Sequence, residues 1–145
     1  MSAAESRLTA GPDETAYLAA ELAAGLKGGD VVFLAGEVGS GKTTFVRAAC
    51  RALGVTAPVT SPSFTLAQRY EDGRLPVSHL DFQRLGGSEE DPSLFADEVS
   101  PGRVTFVEWA GEAPAGIGWE PAWIVELEHA GEDRRRISVM RGGAG

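Results

Sequence analysis

The chain has 145 residues, of which 43% are hydrophobic, so the expectation is one soluble α/β-sized domain spanning 1–145. No apolar stretch approaches membrane-spanning length, and the start lacks the basic-then-apolar pattern of a secretory signal, so a cytoplasmic protein is expected. The net charge of −8 argues against a broad grip on nucleic-acid phosphates, and the single cysteine, Cys50, excludes an internal disulfide.

Residues 1–11 are small and polar and are expected to be loose. Asp13 to Lys27 carries Ala16, Leu18, Ala19, Leu22, Ala23 and Leu26 near helical period, with Asp13 as a fitting N-cap. Gly28-Gly29-Asp30 ends that helix. Val31 to Ala35 is short, apolar and partly β-branched, which predicts a buried strand. Thr44 to Leu53 reads as a second helix with Gly54 as its C-terminal cap. Cys50 lies inside it and is expected to be a buried, inert thiol.

Residues 55–63 contain two prolines and several hydroxyls, which predicts a loop. Phe64 to Tyr70 and Leu75 to Leu80 flank a Glu-Asp-Gly-Arg turn and read as a hairpin. Residues 86–100 are irregular, with a short helix expected near 93–99. Arg103 to Val107 predicts a strand ending at Glu108-Trp109, followed by a Gly- and Pro-rich loop over 111–121. Trp123 to His129 and Arg136 to Met140 predict a closing hairpin. Most of the charges of Arg134-Arg135-Arg136, at its turn, are expected to be solvated.

The most informative stretch is Gly36-Glu37-Val38-Gly39-Ser40-Gly41-Lys42-Thr43, which fits the P-loop pattern without a gap. Its glycines let the backbone bend so that several N–H groups turn toward phosphate oxygens. The following helix adds the positive end of its dipole. In this chemistry Lys42 reaches the β- and γ-phosphates and the Thr43 hydroxyl holds Mg²⁺. The predicted fold is therefore an α/β P-loop NTPase domain. Its central sheet is mixed and mainly parallel, with antiparallel hairpins and few flanking helices.

Hydrolysis or transfer also needs a carboxylate for the metal or for water. Asp81 and Glu108 each close a predicted strand, and at least one belongs to the metal shell. His79 stands two residues before Asp81, on the same face of a regular strand, either as a base or as a residue that orients the site. The orienting role fits phosphoryl chemistry better, because that chemistry needs positioning more than a strong base. Ser61-Pro62-Ser63-Phe64-Thr65 is a hydroxyl-rich loop that reads equally as a switch or as a plain turn.

In chain order, the P-loop from Gly36 to Thr44, Ser61 to Leu66, His79-Leu80-Asp81-Phe82-Gln83-Arg84-Leu85 and Val107-Glu108-Trp109 resemble the TsaE family. These are small bacterial P-loop ATPases of tRNA threonylcarbamoyladenosine (t6A) synthesis. The resemblance covers about residues 13–140. It implies that Lys42 and the loop amides hold ATP, that Thr43 and Glu108 sit in the Mg²⁺ shell, and that Asp81 is the essential acid beside metal and γ-phosphate. It further implies a switch role for Ser61 to Thr65, including Ser63, and nucleotide contacts from Glu14, Thr15 and a C-terminal arginine, Arg135 or Arg136. Three departures matter, though none removes a charge that catalysis would need: Ser63 stands where threonine is common and keeps the hydroxyl, Gln83 stands where tyrosine is usual and lacks its ring and phenol, and Ala110 is a mild variant where proline or another small residue often stands. The resemblance also implies partners, TsaD and TsaB, with tRNA contacted only indirectly and with weak activity in isolation.

Two other readings carry less. A small-molecule kinase needs an arginine-bearing lid, and 86–100 contains neither Arg nor Lys. A guanine-specific switch is disfavoured by the lack of an Asn-Lys-x-Asp run.

Overall fold

Continuous runs of buried residues, 31–34, 77–80 and 104–108, build the centre of the sheet, and the two described helices cover one side of it. The computed structural model describes residues 4–37, 40–59, 67–81, 99–109 and 121–142. The strands are β1 (Ala4–Thr9), β2 (Val31–Gly36), β3 (Ala67–Tyr70), β4 (Val77–Asp81), β5 (Val104–Trp109), β6 (Trp123–His129) and β7 (Arg135–Arg141). They form one sheet in the order β1-β7-β6-β2-β5-β4-β3. β4, β5, β2 and β6 are mutually parallel, while β3, β7 and β1 each pair antiparallel with a neighbour. The mixed, mainly parallel sheet of the sequence reading is thus present.

Val32 and Leu34 on β2, Val104 and Phe106 on β5, Val125 and Leu127 on β6, and Ile137 and Val139 on β7 share one face. They belong to the same buried cluster as two helices, α1 (Pro12–Ala24) and α2 (Lys42–Ala52). α1 contributes Leu18, Ala19, Leu22 and Ala23, and α2 contributes Phe45, Val46, Ala49 and Cys50, each set at helical spacing. Burial pushes the Cys50 thiol up to about 12, as expected of an inert cysteine.

Several boundaries differ from expectation, each for a physical reason. Residues 4–9 are not loose; they form β1, with Ala4 opposite Met140 and Thr9 opposite Arg135. Asp13 is not the N-cap of α1. Gly11 is, and Pro12 follows in the first turn, where its missing N–H costs nothing. α1 ends at Ala24 rather than Lys27, with Gly25 as its C-cap. α2 starts at Lys42 and ends in a Schellman motif: Gly54 N–H donates to Arg51 O at 3.0 Å and Val55 N–H to Cys50 O at 3.0 Å. Gly54 takes φ +90°, so the glycine does close this helix, one position beyond the cap residue Leu53. The hairpin of β3 and β4 is present over Ala67–Tyr70 and Val77–Asp81. The expected strand start at 64–66 lies outside the described residues, as does the short helix expected over 93–99 except for Val99, which is not helical. The same holds for most of the expected loop over 111–121. No described helix is long and apolar enough to cross a membrane.

Candidate nucleotide-binding site

β2 runs into the P-loop and α2 runs out of it, so the loop sits at the C-terminal end of the parallel strands. Two of its glycines are forced. A Cβ on Gly36 would lie 2.5 Å from Leu127 O and 2.6 Å from Ser40 Oγ. Gly41 caps α2 in a left-handed conformation, φ +105°, that side chains disfavour. Val38 and Gly39 lie outside the described residues. Ser40 N–H donates to Glu37 O at 3.0 Å and Phe45 N–H to Gly41 O at 2.9 Å, which ties the loop to the first turn of the helix. Lys42 is 4% exposed, and its ammonium donates to the carbonyls of Gly36 and Glu37, the latter at 3.0 Å. Its charge is thereby held over the loop rather than released to solvent.

Thr43, one residue on, turns its hydroxyl to the end of β5. Its Oγ1 lies 3.3 Å from each carboxylate oxygen of Glu108. Glu108 is 1% exposed, and its Oε2 also meets Nε2 of the fully buried His79 on β4. The pairing of β4 with β5 sets Asp81 opposite Glu108 in the ladder. The two strand-end acids are therefore neighbours in the ladder, Glu108 on the strand beside β2 and Asp81 one strand further out.

Thr43 and Glu108 offer hard oxygen donors of the kind Mg²⁺ prefers. Among the described residues no cluster of three or more His, Cys, Asp or Glu suits a metal.

The flank of the site is knitted by β7, β1 and α1. Arg135 Nε donates to Ser40 O at 3.0 Å, and its Nη1 donates to the carbonyls of Glu132 and Arg134 at 3.1 and 2.8 Å. Of the two arginine candidates, the one on the P-loop is Arg135. Arg136 is exposed, opposite Leu8 on one side and Glu128 on the other. Arg134 is exposed too, so the expectation of mostly solvated arginines holds at the turn. The signal that separates 135 from 136 was present in the chain: Ile137 and Val139 point into the core, and a period of two puts Arg135 on their face.

Thr9 Oγ1 donates to Arg135 O at 3.4 Å and lies 3.0 Å from Thr15 Oγ1. Glu14 accepts the Ala10 N–H. Glu14 and Thr15 are thus at the end of α1 nearest the P-loop, with their polar groups engaged in joining α1 to β1. Thr9 has no motif around it and was not singled out from sequence. Thr44 is half-buried on the first turn of α2. Ser63 and its neighbours over 60–66 lie outside the described residues, and of Asp81 and Trp109 only the backbone pairing is described.

A cleft of about 620 Å³ also opens beside the loop, floored by Phe33 and Ile124. Glu37, Glu126 and Glu128 line it, so it repels phosphate.

A glycine-forced bend between a parallel strand and a helix, with lysine and threonine opening that helix and a carboxylate on the adjacent strand, defines a nucleotide-binding protein of the P-loop α/β class. Residues 9–137 match the family described as "Threonylcarbamoyl adenosine biosynthesis protein TsaE". The chain belongs to this TsaE family. It is 41% identical over 131 residues to the tRNA threonylcarbamoyladenosine biosynthesis protein TsaE of Bacillus subtilis, covering 90% of this chain and 81% of that protein. The protein of the same name from Streptomyces coelicolor is 38% identical over 128 residues, covering 86% and 77%. A solved structure described as the crystal structure of Bacillus subtilis YdiB superposes with a TM-score of 0.76 at 33% identity, covering 99% of this chain and 88% of that one.

Proposed function

We propose that this protein binds and hydrolyses Mg-ATP as the ATPase subunit of tRNA threonylcarbamoyladenosine biosynthesis. The observation that carries the reading is the meeting of the Thr43 hydroxyl with the Glu108 carboxylate beside the loop closed by Lys42. Family membership supplies the pathway.

Each residue has a physical task in this reading. The loop amides and the α2 N-terminus receive the phosphates. Lys42 exchanges its loop carbonyls for phosphate oxygens, which are anionic and therefore stronger acceptors. Thr43 and Glu108 hold Mg²⁺, with Asp81 beside them in the ladder as the acid that acts near metal and γ-phosphate. When bound, Mg²⁺ neutralises charge on the β- and γ-phosphates. Arg135 fixes the back of the loop through Ser40 O. Ser63, in the hydroxyl-rich loop, responds to the γ-phosphate.

With a net charge of −8 the protein suits contacts to proteins better than to RNA. TsaD and TsaB are the proposed partners, in the cytoplasm, and activity alone is weak. Purified protein with ATP and Mg²⁺ is expected to release phosphate slowly, and faster with TsaD and TsaB. Lys42→Ala is expected to lower turnover by about 10²–10³-fold. Unchanged ATP affinity and turnover in that variant would contradict the assignment. Asp81→Ala is expected to fold and to stop hydrolysis; normal hydrolysis would make Glu108 the operative carboxylate. Transfer of phosphate to a small hydroxyl acceptor would establish a kinase instead.

A further inference from the structure

Glu108 is held from two sides, and only one of those contacts is explained by the nucleotide. Its carboxylate faces Thr43 on α2, while Oε2 also meets Nε2 of His79 on β4. A carboxylate only accepts, so the imidazole N–H donates. The glutamate side chain has three rotatable bonds, and several rotamers are open to it without a second anchor. The imidazole has two rotatable bonds and is fully buried on a strand in register with β5, so it cannot follow a wandering carboxylate.

The other ring nitrogen gives an independent argument. Among the described residues, the buried His79 Nδ1 has no hydrogen-bond partner. An apolar side chain at this position would leave no such group unsatisfied. Packing therefore does not account for the imidazole, and what it adds is the bond from Nε2.

We propose that His79 is a positioning residue for Glu108: it sets the carboxylate against the Thr43 hydroxyl. The magnesium-dependent part of ATP binding therefore depends on His79, and the metal-free part does not. This rests on the Mg-ATP reading above. Metal-free binding is carried by Lys42 and the loop amides, none of which contacts His79 in the hydrogen bonds described. Residues that orient a metal ligand typically govern metal affinity by about 10–100-fold.

The test is ATP binding by calorimetry, with Mg²⁺ and with EDTA, on wild type and on His79→Leu, His79→Asn and His79→Gln, each checked for its melting temperature. His79→Leu is expected to keep wild-type affinity in EDTA and to lose about tenfold or more of the gain that Mg²⁺ brings. The Gln amide reaches the same oxygen and is expected to recover most of the gain. The shorter Asn amide is expected not to. Should the Leu variant fail to fold, the Gln and Asn pair decides.

A full Mg²⁺ gain in Leu or Asn overturns the proposal. So does an equal loss with and without Mg²⁺, which would mark a merely structural residue. A wild-type protein that binds no ATP overturns the functional reading itself, and this inference with it. Wild type that binds Mg-ATP while all variants match it sinks the inference alone.

Discussion

The parallel centre of the sheet and its antiparallel flanks obey different rules. β4 and β5 bury Ser78, His79, Thr105 and Glu108, whereas the flanking strands bury only one polar side chain among the described residues, Thr9. On β7, Arg136 and Arg141 are exposed, the latter with its guanidinium 5.3 Å from the Trp123 ring centre. The cause is direction. Parallel neighbours end at the same edge, so β2, β4 and β5 deliver Gly36, Asp81 and Glu108 to one place. An antiparallel neighbour begins there, and so β7 brings its first residue, Arg135, to that edge. Function is concentrated where strands run together, and the flanks supply packing plus a single latch.

The largest expected effect tests whether the centre also carries the stability. Phe106 is fully buried among the residues under the helices. Phe106→Ala should cost about 3–5 kcal/mol in urea unfolding. Leu8→Ala, on an edge strand and 52% exposed, should change stability by less than about 0.5 kcal/mol. Similar losses in both would break the contrast.

A smaller effect sharpens it within one strand. Arg135→Ala removes the bond to Ser40 O. It should lower stability by about 1 kcal/mol and weaken ATP binding about tenfold, read by thermal unfolding and calorimetry. Its neighbour Arg136→Ala should change either by less than about 0.5 kcal/mol. If the two variants behave alike, the latch is not a latch.

The smallest expected effect is an absence of reaction. A folded-state thiol raised to about 12 stays protonated when pH climbs through the ordinary cysteine range near pH 9. A thiol reagent should therefore label Cys50 far more slowly than an exposed thiol, at neutral pH and at about pH 9, because reaction waits on opening of the protein. Fast, pH-dependent labelling would mean that α2 is not seated on the sheet.

What the chain revealed in advance follows the range of the forces involved. The β2–loop–α2 unit was legible because its signals are local: an apolar run, glycines, Lys-Thr and a closing Gly54. The neighbouring strands were legible as short segments bounded by turn residues, and Glu108 through its place at a strand end. β1 was not, because Ala-Glu-Ser-Arg-Leu-Thr has little strand character of its own and acquires its structure from a partner far along the chain. The start of α1 was misread because Asp13 is a good cap in isolation, while Gly11-Pro12 sets the first turn. The motif alone does not separate Arg135 from Arg136; the alternation of Ile137 and Val139 does. The contact between His79 and Glu108 joins two strands, and nothing local encodes it.

The pairing of β1 with β7 has a consequence for how the protein is made. Thr9 and Arg135 touch across 126 residues of chain. On the ribosome the N-terminal strand must wait on the order of ten seconds for its neighbour to be synthesised. The clamp on the back of the phosphate loop closes only then, so a nascent chain carries the lysine and threonine of its nucleotide site long before that site is assembled.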